Sequence, residues 1–320
     1  DRQIVCYRPP AIIPSLFLKG SSMSAVRRLS VAALTSAVAL ATCAIPAHAS
    51  LFHHTHDATV STSDEGGDHT MGSQIRRHEG GHVATGDPFT HDNRIDSLLH
   101  PSPNIYALQQ SGKGVYGLDV SSHDGNKTNW PAVVRGGRHF VWAKATEGTS
   151  YRNPHFASQY NGSARAGMVR GAYHFAWPGN SSGRAQATYF SNHGGGWSPD
   201  GHTLPGALDL EWAPKGNACY NQSQTQMAAW IKDFVTTYKA RWGRAPIIYT
   251  SASWWNKCVG TAANSTVSQT PLWVARYSSS AGTMPKGWRN FTVWQYSDTG
   301  FDHDWMRGDV STLKAWSKRR

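Results

Sequence analysis

Acidic residues are scarce in this 320-residue chain, in which 20 Asp and Glu stand against 31 Lys and Arg and only 16% of residues are charged. Repeated long apolar runs are also lacking, and the mean hydropathy of −0.49 excludes a multi-span membrane protein. Residues 115–320 hold 22 basic and 11 acidic side chains, whereas residues 1–114 hold nine of each. Tryptophan is absent from the first 114 residues, and all 14 copies follow. The packed domain and the net charge of +11 therefore both belong to residues 115–320.

Residues 23–49 have the pattern of a secretory signal. A basic pair, Arg27 and Arg28, precedes an apolar run over 29–45 and the small-residue site Ala47-His48-Ala49. Cleavage after Ala49 is expected, so the protein is predicted to be secreted and extracellular, without a stable membrane anchor. A membrane-spanning anchor is the alternative, but the run is short and rich in small residues. Residues 1–22 are interpreted as a non-native or mis-started leader.

Cysteine is nearly absent. Removal of the signal would also remove Cys6 and Cys43, leaving Cys219 and Cys258 in an oxidising compartment. These two are predicted to form a disulfide, with two free thiols as the alternative.

Residues 50–114 are poor in long apolar runs and rich in His, Asp, Ser and Gly, which is typical of a flexible leader or linker. Eight of the 16 histidines lie here, but their irregular spacing offers no fixed geometry for a metal ion.

From residue 115 onward, short β-rich runs alternate with helical patterns, which predicts an α/β barrel with parallel strands in a single domain. The predicted strands are 115–121, 140–145, 169–177, 204–212, 246–250, 272–277 and 291–296, with an eighth near Phe301. The predicted helices are 153–167, 181–194 and 223–243. Seven or eight strands in about 206 residues indicate a barrel that lacks some helices, with catalysis at the carboxyl ends of its strands.

Carboxyl groups stand at several of these strand ends. Asp119 lies late in the first strand, and Asp209 and Glu211 are two residues apart in the fourth. Residues two apart on a strand face the same way, so both carboxyls are predicted to enter the barrel mouth. Two like charges there raise one pKa, which suits glycoside hydrolysis by an acid and an ionised partner. For any one acid, a solvated or ion-paired surface position is the alternative.

Seven blocks of the sequence, in order, resemble glycoside hydrolase family 25, the secreted lysozymes of the Chalaropsis type. They are GLDVSSHDG with Asn129-Trp130, WAKATEGTSYRNPHF, GMVRGAYHFAWP, LPGALDLEW, PIIYTSASWWNKC, LWVARY and VWQYS. The resemblance implies a flattened (β/α)5(β)3 TIM-like barrel and a retaining β-1,4-N-acetylmuramidase with no metal or organic cofactor. The stretch MGSQIRRHEG at 71–80 also resembles the leader of some relatives.

The resemblance also assigns roles. It implies that Glu211 is the general acid/base, that Asp209 assists it, and that Asp119 and Asp302 complete the catalytic set. Asp209 would assist by orienting the substrate's own 2-acetamido group, and direct attack by Asp209 on the anomeric carbon is the alternative. Asp304 and Asp309 are the neighbouring alternatives to Asp302. One departure is Asp124, part of Ser-Ser-His-Asp-Gly where relatives usually have Ser-His-Trp-Gln-Gly.

Side chains near other strand ends are candidates for binding sugars, with core packing as the alternative for each. They are Tyr173, Tyr249, Trp273, Trp294, Gln295 and Tyr296. His174 is interpreted as a hydrogen-bonded interior residue, and Lys144 with Glu147 as a structural ion pair or cap.

The expected partners are peptidoglycan glycan strands and the anionic bacterial cell wall, to which the basic domain is attracted. No nucleic-acid-binding signature accompanies the charge, so nucleic acid is not an expected partner. The protein is expected to be a monomer. The alternative functions are a chitinase-like N-acetylhexosaminidase and a catalytically silent wall-binding barrel.

Overall fold

The structure is a computed structural model that describes residues 69–80 and 114–320. The predicted secretion signal, the leader at 1–22 and most of the predicted linker at 50–114 lie outside the described residues. The strands are β1 (Gly114–Val120), β2 (Arg138–Glu147), β3 (Tyr151–Arg152), β4 (Val169–Phe175), β5 (Ala207–Asp209), β6 (Ile247–Ser251), β7 (Leu272–Ala275), β8 (Val293–Ser297) and β9 (Asp302–Arg307). The helices are α1 (Ser73–Glu79), α2 (Trp130–Arg135), α3 (Phe156–Arg165), α4 (Gly183–Asn192), α5 (Gln224–Trp242), α6 (Ala252–Cys258), α7 (Asn264–Val267) and α8 (Val310–Lys318).

Eight strands close into a ring. The order is β1-β9-β8-β7-β6-β5-β4-β2, and β2 pairs again with β1 to complete the barrel. Neighbours from β1 through β8 run parallel, whereas β9 is antiparallel to both β8 and β1. Strand β3 pairs with β2 outside the ring. The predicted α/β barrel is confirmed, and each predicted strand has a counterpart. The expectation of parallel strands fails for β9 alone among the barrel strands of the described residues, because the short connection after β8 leaves no crossover helix and turns the chain back.

Strand β5 is shorter than its sequence predicts, because it covers Ala207–Asp209 instead of 204–212. Pro205 has no N–H to donate to a sheet ladder, so regular pairing begins after it. The flanking residues still continue the direction of the strand, since Leu204 N–H donates to the Arg170 carbonyl and Leu210 N–H to the Tyr249 carbonyl. The chain therefore remains nearly extended through this stretch.

The long helix α5 matches its predicted bounds, and its ends explain why. Ser223 accepts a hydrogen bond from Gln226 N–H while the Gln226 side chain accepts one from Ser223 N–H, forming a capping box. Gly243 ends the helix at a φ of 72°, a left-handed conformation that favours glycine. The predicted apolar face is buried, namely Met227, Trp230, Ile231, Phe234, Val235 and Tyr238. In the described part of the chain, helices long and apolar enough to cross a membrane are absent.

Aromatic side chains fill the barrel interior. Trp142 packs against Trp273 with ring centroids 4.6 Å apart, and its indole N–H donates to the Pro205 carbonyl. Gly117 leaves room for the Phe140 ring, with which any side chain at position 117 would collide. Because the interior is closed by side chains, a ligand site has to lie at one end of the barrel.

The predicted disulfide is present. Cys219 and Cys258 are bonded, with Cα atoms 5.3 Å apart and a sequence separation of 39. The bond joins the loop after β5 to the end of α6, so it connects two segments that follow neighbouring barrel strands.

Replacing both cysteines by alanine is expected to lower the free energy of unfolding by about 4 kcal/mol, because a closed loop of this length restricts the unfolded chain. Denaturant unfolding of the variant and the wild type measures the difference. Wild-type protein treated with reductant is the control and should match the variant. A loss below about 1 kcal/mol would contradict this role.

Candidate active site

Five carboxyl groups gather at the carboxyl ends of the parallel strands. Asp119 near the end of β1 pairs in register with Asp302 at the start of β9, and Asp304 lies two residues further along β9. Asp209 is the last residue of β5, and Glu211 follows it. Asp302 is partly exposed and the other four are almost completely buried. The structure therefore brings together all four acids of the predicted catalytic set, with Asp304 beside them.

Asp209 and Glu211 lie on the same side of the chain, as predicted. Leu210 between them packs in the cluster outside the barrel, where it contacts the surrounding helices. Burial raises the pKa of Asp209 well above its usual range, and the neighbouring Glu211 charge raises it further. Burial also raises the pKa of Glu211, to about 8, although hydrogen bonds from backbone N–H groups oppose this rise. This pair can hold a proton at neutral pH.

A chain of hydrogen bonds orients Asp119. Gln295 Nε2 donates to Asp119 Oδ2 at 2.7 Å, and Gln295 Oε1 accepts from the hydroxyls of Tyr249 (2.6 Å) and Tyr277 (3.0 Å). Burial raises the pKa of Asp119 well above its usual range, and the Asp304 charge contributes in the same direction. These carboxyl groups face one another in a site with little solvent, so they compete for protons.

Two of the predicted sugar-binding side chains are placed on the wrong face for that role. Trp294 and Tyr296 pack behind β8 with Leu272 and Trp305, whereas Gln295 between them faces the acids. Side chains alternate along a strand, so the inward position of Gln295 requires the outward position of its neighbours. The prediction for Trp294 and Tyr296 is corrected accordingly. Both faces of this strand are buried, so the pattern of apolar residues did not distinguish them.

The other predicted sugar contacts lie inside the barrel. The hydroxyls of Tyr173 and Tyr249 reach the mouth, where the former accepts a hydrogen bond from Met71 N–H at 3.3 Å. Trp273 lies in the interior layer and donates to Asp304 Oδ1 at 2.9 Å, so it supports the acids from below. Tyr277 also lines the mouth, where its hydroxyl lies 3.0 Å from Gln295 Oε1. The sequence predicted Tyr277 at the end of the strand 272–277, but no local signal distinguished it from a core residue.

The predicted ion pair is present beside the acids. Lys144 Nζ lies 2.7 Å from Glu147 Oε2, and both side chains are largely buried. Burial alone would raise the pKa of Glu147, but the charge of Lys144 and the contact with His69 lower it to about 2. Trp177 Nε1 also donates to Glu147, at 2.5 Å. Glu147 is therefore ionised and structural, as predicted.

His174 is an interior residue, also as predicted. Its ring nitrogens contact Thr146 Oγ1 at 2.8 Å and Gln186 Oε1 at 3.0 Å. Burial lowers the pKa of His174 to about 4, so the ring is neutral near neutral pH. Asp124, the departure from the family pattern, accepts from Ser121 N–H at 2.8 Å and caps the short turn Ser122–Asp124.

Residues 69–80, predicted to be part of a flexible leader, form a turn and the helix α1 in the barrel mouth. The N–H groups of Gly72, Gln74 and Ile75 donate to the carboxylate of Glu211. The resemblance of residues 71–80 to the leader of some relatives did not predict that they lie in the site. The reason is that nothing in its composition indicates which surface it contacts.

Comparisons with known proteins agree with this arrangement. The model of glycosyl hydrolases family 25 matches residues 118–305. Lysozyme M1 of Streptomyces globisporus is 51% identical over 208 residues, which are 65% of this chain and 70% of that protein. N,O-diacetylmuramidase of a Chalaropsis species is 48% identical over 207 residues, 62% of this chain and 97% of that protein. The structure of a muramidase from Acremonium alcalophilum matches with a TM-score of 0.62 and 48% identity, over 64% of this chain and 99% of that one. The matched stretch is about as long as the barrel.

Replacing Glu147 by glutamine is expected to lower the free energy of unfolding at pH 7 by about 3 kcal/mol, because it leaves Lys144 buried without its counter-charge. Since the folded-state pKa of Glu147 is depressed, its contribution is present above about pH 4.5 and is lost as the pH falls towards 2. The difference between variant and wild type should therefore shrink over that range.

Denaturant unfolding at pH 7, 4 and 3 measures this effect. Asp233→Asn is the matched control, because Asp233 pairs with the exposed Arg184 at 3.5 Å and its loss should cost less than about 1 kcal/mol. Equal effects of the two substitutions would show that the pair of Lys144 and Glu147 is not a buried structural contact.

Proposed function

Because the chain belongs to glycosyl hydrolase family 25 and is a glycoside hydrolase, we propose that it cleaves the β-1,4 bond between N-acetylmuramic acid and N-acetylglucosamine in peptidoglycan. The observation that carries the proposal is the pair Asp209 and Glu211, buried side by side among three further carboxyl groups. The names of two relatives, lysozyme and N,O-diacetylmuramidase, support the choice of substrate.

Glu211 is the general acid in this proposal. Its raised pKa keeps a proton on the carboxyl at neutral pH, and that proton passes to the glycosidic oxygen as the bond to the anomeric carbon breaks. The resulting carboxylate then removes a proton from the water that attacks the anomeric carbon. General acid–base catalysis of this kind contributes on the order of 100-fold to 10,000-fold in rate.

Asp209 assists by accepting a hydrogen bond from the substrate's own 2-acetamido group, whose carbonyl oxygen attacks the anomeric carbon. Within residues 69–80 and 114–320, the carboxyl oxygens of Asp209 have no hydrogen-bond donor apart from the neighbouring carboxyl of Glu211. An unpartnered buried carboxylate is costly, so an N–H of the substrate is a favourable partner. Two displacements at the anomeric carbon give retention of its configuration.

The remaining groups hold the sugar. Asp119 is fixed by Gln295 and faces Asp302 across the register of β1 and β9, so both can accept hydrogen bonds from sugar hydroxyls. Tyr173 and Tyr249 place hydroxyls in the same mouth. We also propose that the protein acts outside the cell as a monomer, where its net charge of +11 attracts the anionic wall.

Mass spectrometry of the fragments released from purified peptidoglycan tests the bond that is cut. After borohydride reduction of the products, muramitol at the new ends is expected, and glucosaminitol would contradict the proposal. Purified chitin serves as the competing substrate, because faster release of reducing ends from chitin would favour the chitinase-like alternative. Binding of peptidoglycan without any release would favour the silent wall-binding barrel.

Replacing Glu211 by glutamine is expected to reduce the rate of peptidoglycan hydrolysis by about 100-fold to 10,000-fold, because the amide cannot donate the required proton. Asp233→Asn, on the exposed side of α5, is the control and should retain the wild-type rate. Thermal unfolding of both variants checks that they are folded. A folded Glu211→Gln variant with a rate within threefold of wild type would rule out the assigned role.

A further inference from the structure

The carboxylate of Glu211 is fully engaged by residues 69–80 of the same chain. Gly72 N–H donates to Oε1 at 2.8 Å, and Gln74 and Ile75 N–H donate to Oε2 at 2.9 and 3.0 Å. These three backbone donors occupy both oxygens of the carboxyl group. In this arrangement Glu211 contacts backbone N–H groups at the place where the proposed reaction needs a glycosidic oxygen.

A second contact lies at the other end of the same segment. The Glu79 carboxylate accepts hydrogen bonds from the Ser251 hydroxyl, from Ser253 Oγ at 2.8 Å and from Trp212 Nε1 at 2.7 Å. The ring of His78 stacks on Trp212 with centroids 4.9 Å apart. These partners follow β5 and β6, so the segment is attached to the loops on one side of the mouth.

Apolar burial supplies a third, independent contact. Met71 is 0% exposed and Ile75 is 2% exposed, and both belong to the cluster that fills the barrel interior. Burying apolar side chains of this size contributes favourable free energy to the binding of a peptide in a groove. The segment therefore packs into the barrel mouth through these two side chains.

The fit is closest at Gly72. Its φ of 79° is a left-handed conformation, and a Cβ there would collide with the Tyr277 hydroxyl and lie 2.7 Å from that of Tyr249. The Tyr277 hydroxyl oxygen also lies 3.2 Å from the Gly72 carbonyl oxygen, so its one proton is shared between Gly72 and Gln295. Only glycine meets both requirements without strain.

Charged contacts hold the two flanks. His69 Nδ1 lies 2.7 Å from Glu147 Oε1, and Lys144 Nζ donates to the His69 carbonyl at 2.6 Å. On the opposite side of the mouth, Arg76 lies 3.2 Å from Asp298. The segment thus contacts residues at the ends of β2, β4, β5, β6 and β8, and Glu211 beneath it is 0% exposed.

We propose that residues 69–80 are an autoinhibitory segment, and that cutting the chain between residues 80 and 114 activates the enzyme. The inference rests on the proposed function, because it assigns regulation to the same site. An endopeptidase supplies the step: water adds to one peptide bond, the C–N bond breaks, and a carboxylate and an amine result. The freed segment then leaves the mouth by dissociation, since nothing covalent holds it there.

The direct test uses the full chain with a recognition sequence for a specific protease inserted between residues 80 and 114. Peptidoglycan hydrolysis is measured before cutting, after cutting, and after the released fragment is removed. Tethering gives a segment an effective concentration of about 1 mM, so cutting and removal should raise the rate at least tenfold. Measurable hydrolysis at equal rates before and after complete cutting and removal would overturn the proposal.

Matched substitutions test the same point without cutting. Ile75→Gln places a polar side chain in the buried position and should raise the rate of the uncut chain by about tenfold or more. Arg77→Gln introduces the same residue two positions away, where the side chain is exposed, and should leave the rate unchanged. Neither residue belongs to the catalytic set. Equal rates for the two variants would contradict the burial argument.

Binding of the segment as a separate peptide distinguishes failure of this proposal from failure of the proposed function. A synthetic peptide of residues 69–80 is titrated into the cut protein by calorimetry, with the Ile75→Gln peptide as control. Binding of the native peptide alone, together with inhibition of hydrolysis, supports the proposal. If no form of the protein hydrolyses peptidoglycan, the proposed function fails and binding alone decides whether the segment occupies the cleft. Absence of binding overturns the proposal of an autoinhibitory segment, whether or not the protein hydrolyses peptidoglycan.

Discussion

Two carboxyl groups held together out of water are the feature on which the rest of this structure depends. Asp209 and Glu211 are buried at the carboxyl end of the barrel, and burial raises the pKa of both. A closed ring of strands makes this possible, because extended chain on both sides fixes the two residues and leaves them little freedom to turn towards solvent. The rigid ring thus offsets the cost of keeping like groups close.

The neighbouring side chains reduce that cost in different ways. The ion pair of Lys144 with Glu147 places a positive charge near the acids, and that charge lowers the pKa of both Asp209 and Glu211 against the effect of burial. Gln295 and Trp273 instead donate neutral hydrogen bonds to Asp119 and Asp304. Neutral donors hold these two carboxyl groups in place without adding a second cation to the site.

The segment at residues 69–80 satisfies Glu211 in yet another way, through backbone N–H groups at the start of a short helix. Such donors complement a carboxylate without a charged side chain. The same segment buries Met71 and Ile75 in the mouth. The same contacts hold the segment in the cleft and exclude the substrate from it. They therefore link the chemistry of the site to its proposed regulation.

The sequence alone was sufficient for the positions of the strands along the chain, the barrel, the disulfide between Cys219 and Cys258 and the convergence of the acids. The strands and the barrel follow from local periodicity, and the clustering of Asp119, Asp209 and Glu211 follows from the rule that parallel strands end at one edge. The disulfide follows from the two cysteines that remain after the secretion signal, and Asp302 was assigned by the family resemblance. Only the tertiary structure decided which face of β8 points inward, so that Gln295 and not Trp294 meets Asp119. It also decided where residues 69–80 lie. Both outcomes depend on contacts between residues far apart in sequence, which a local sequence pattern does not record. Strand β8 is also buried on both faces, so neither face is identified by polar residues.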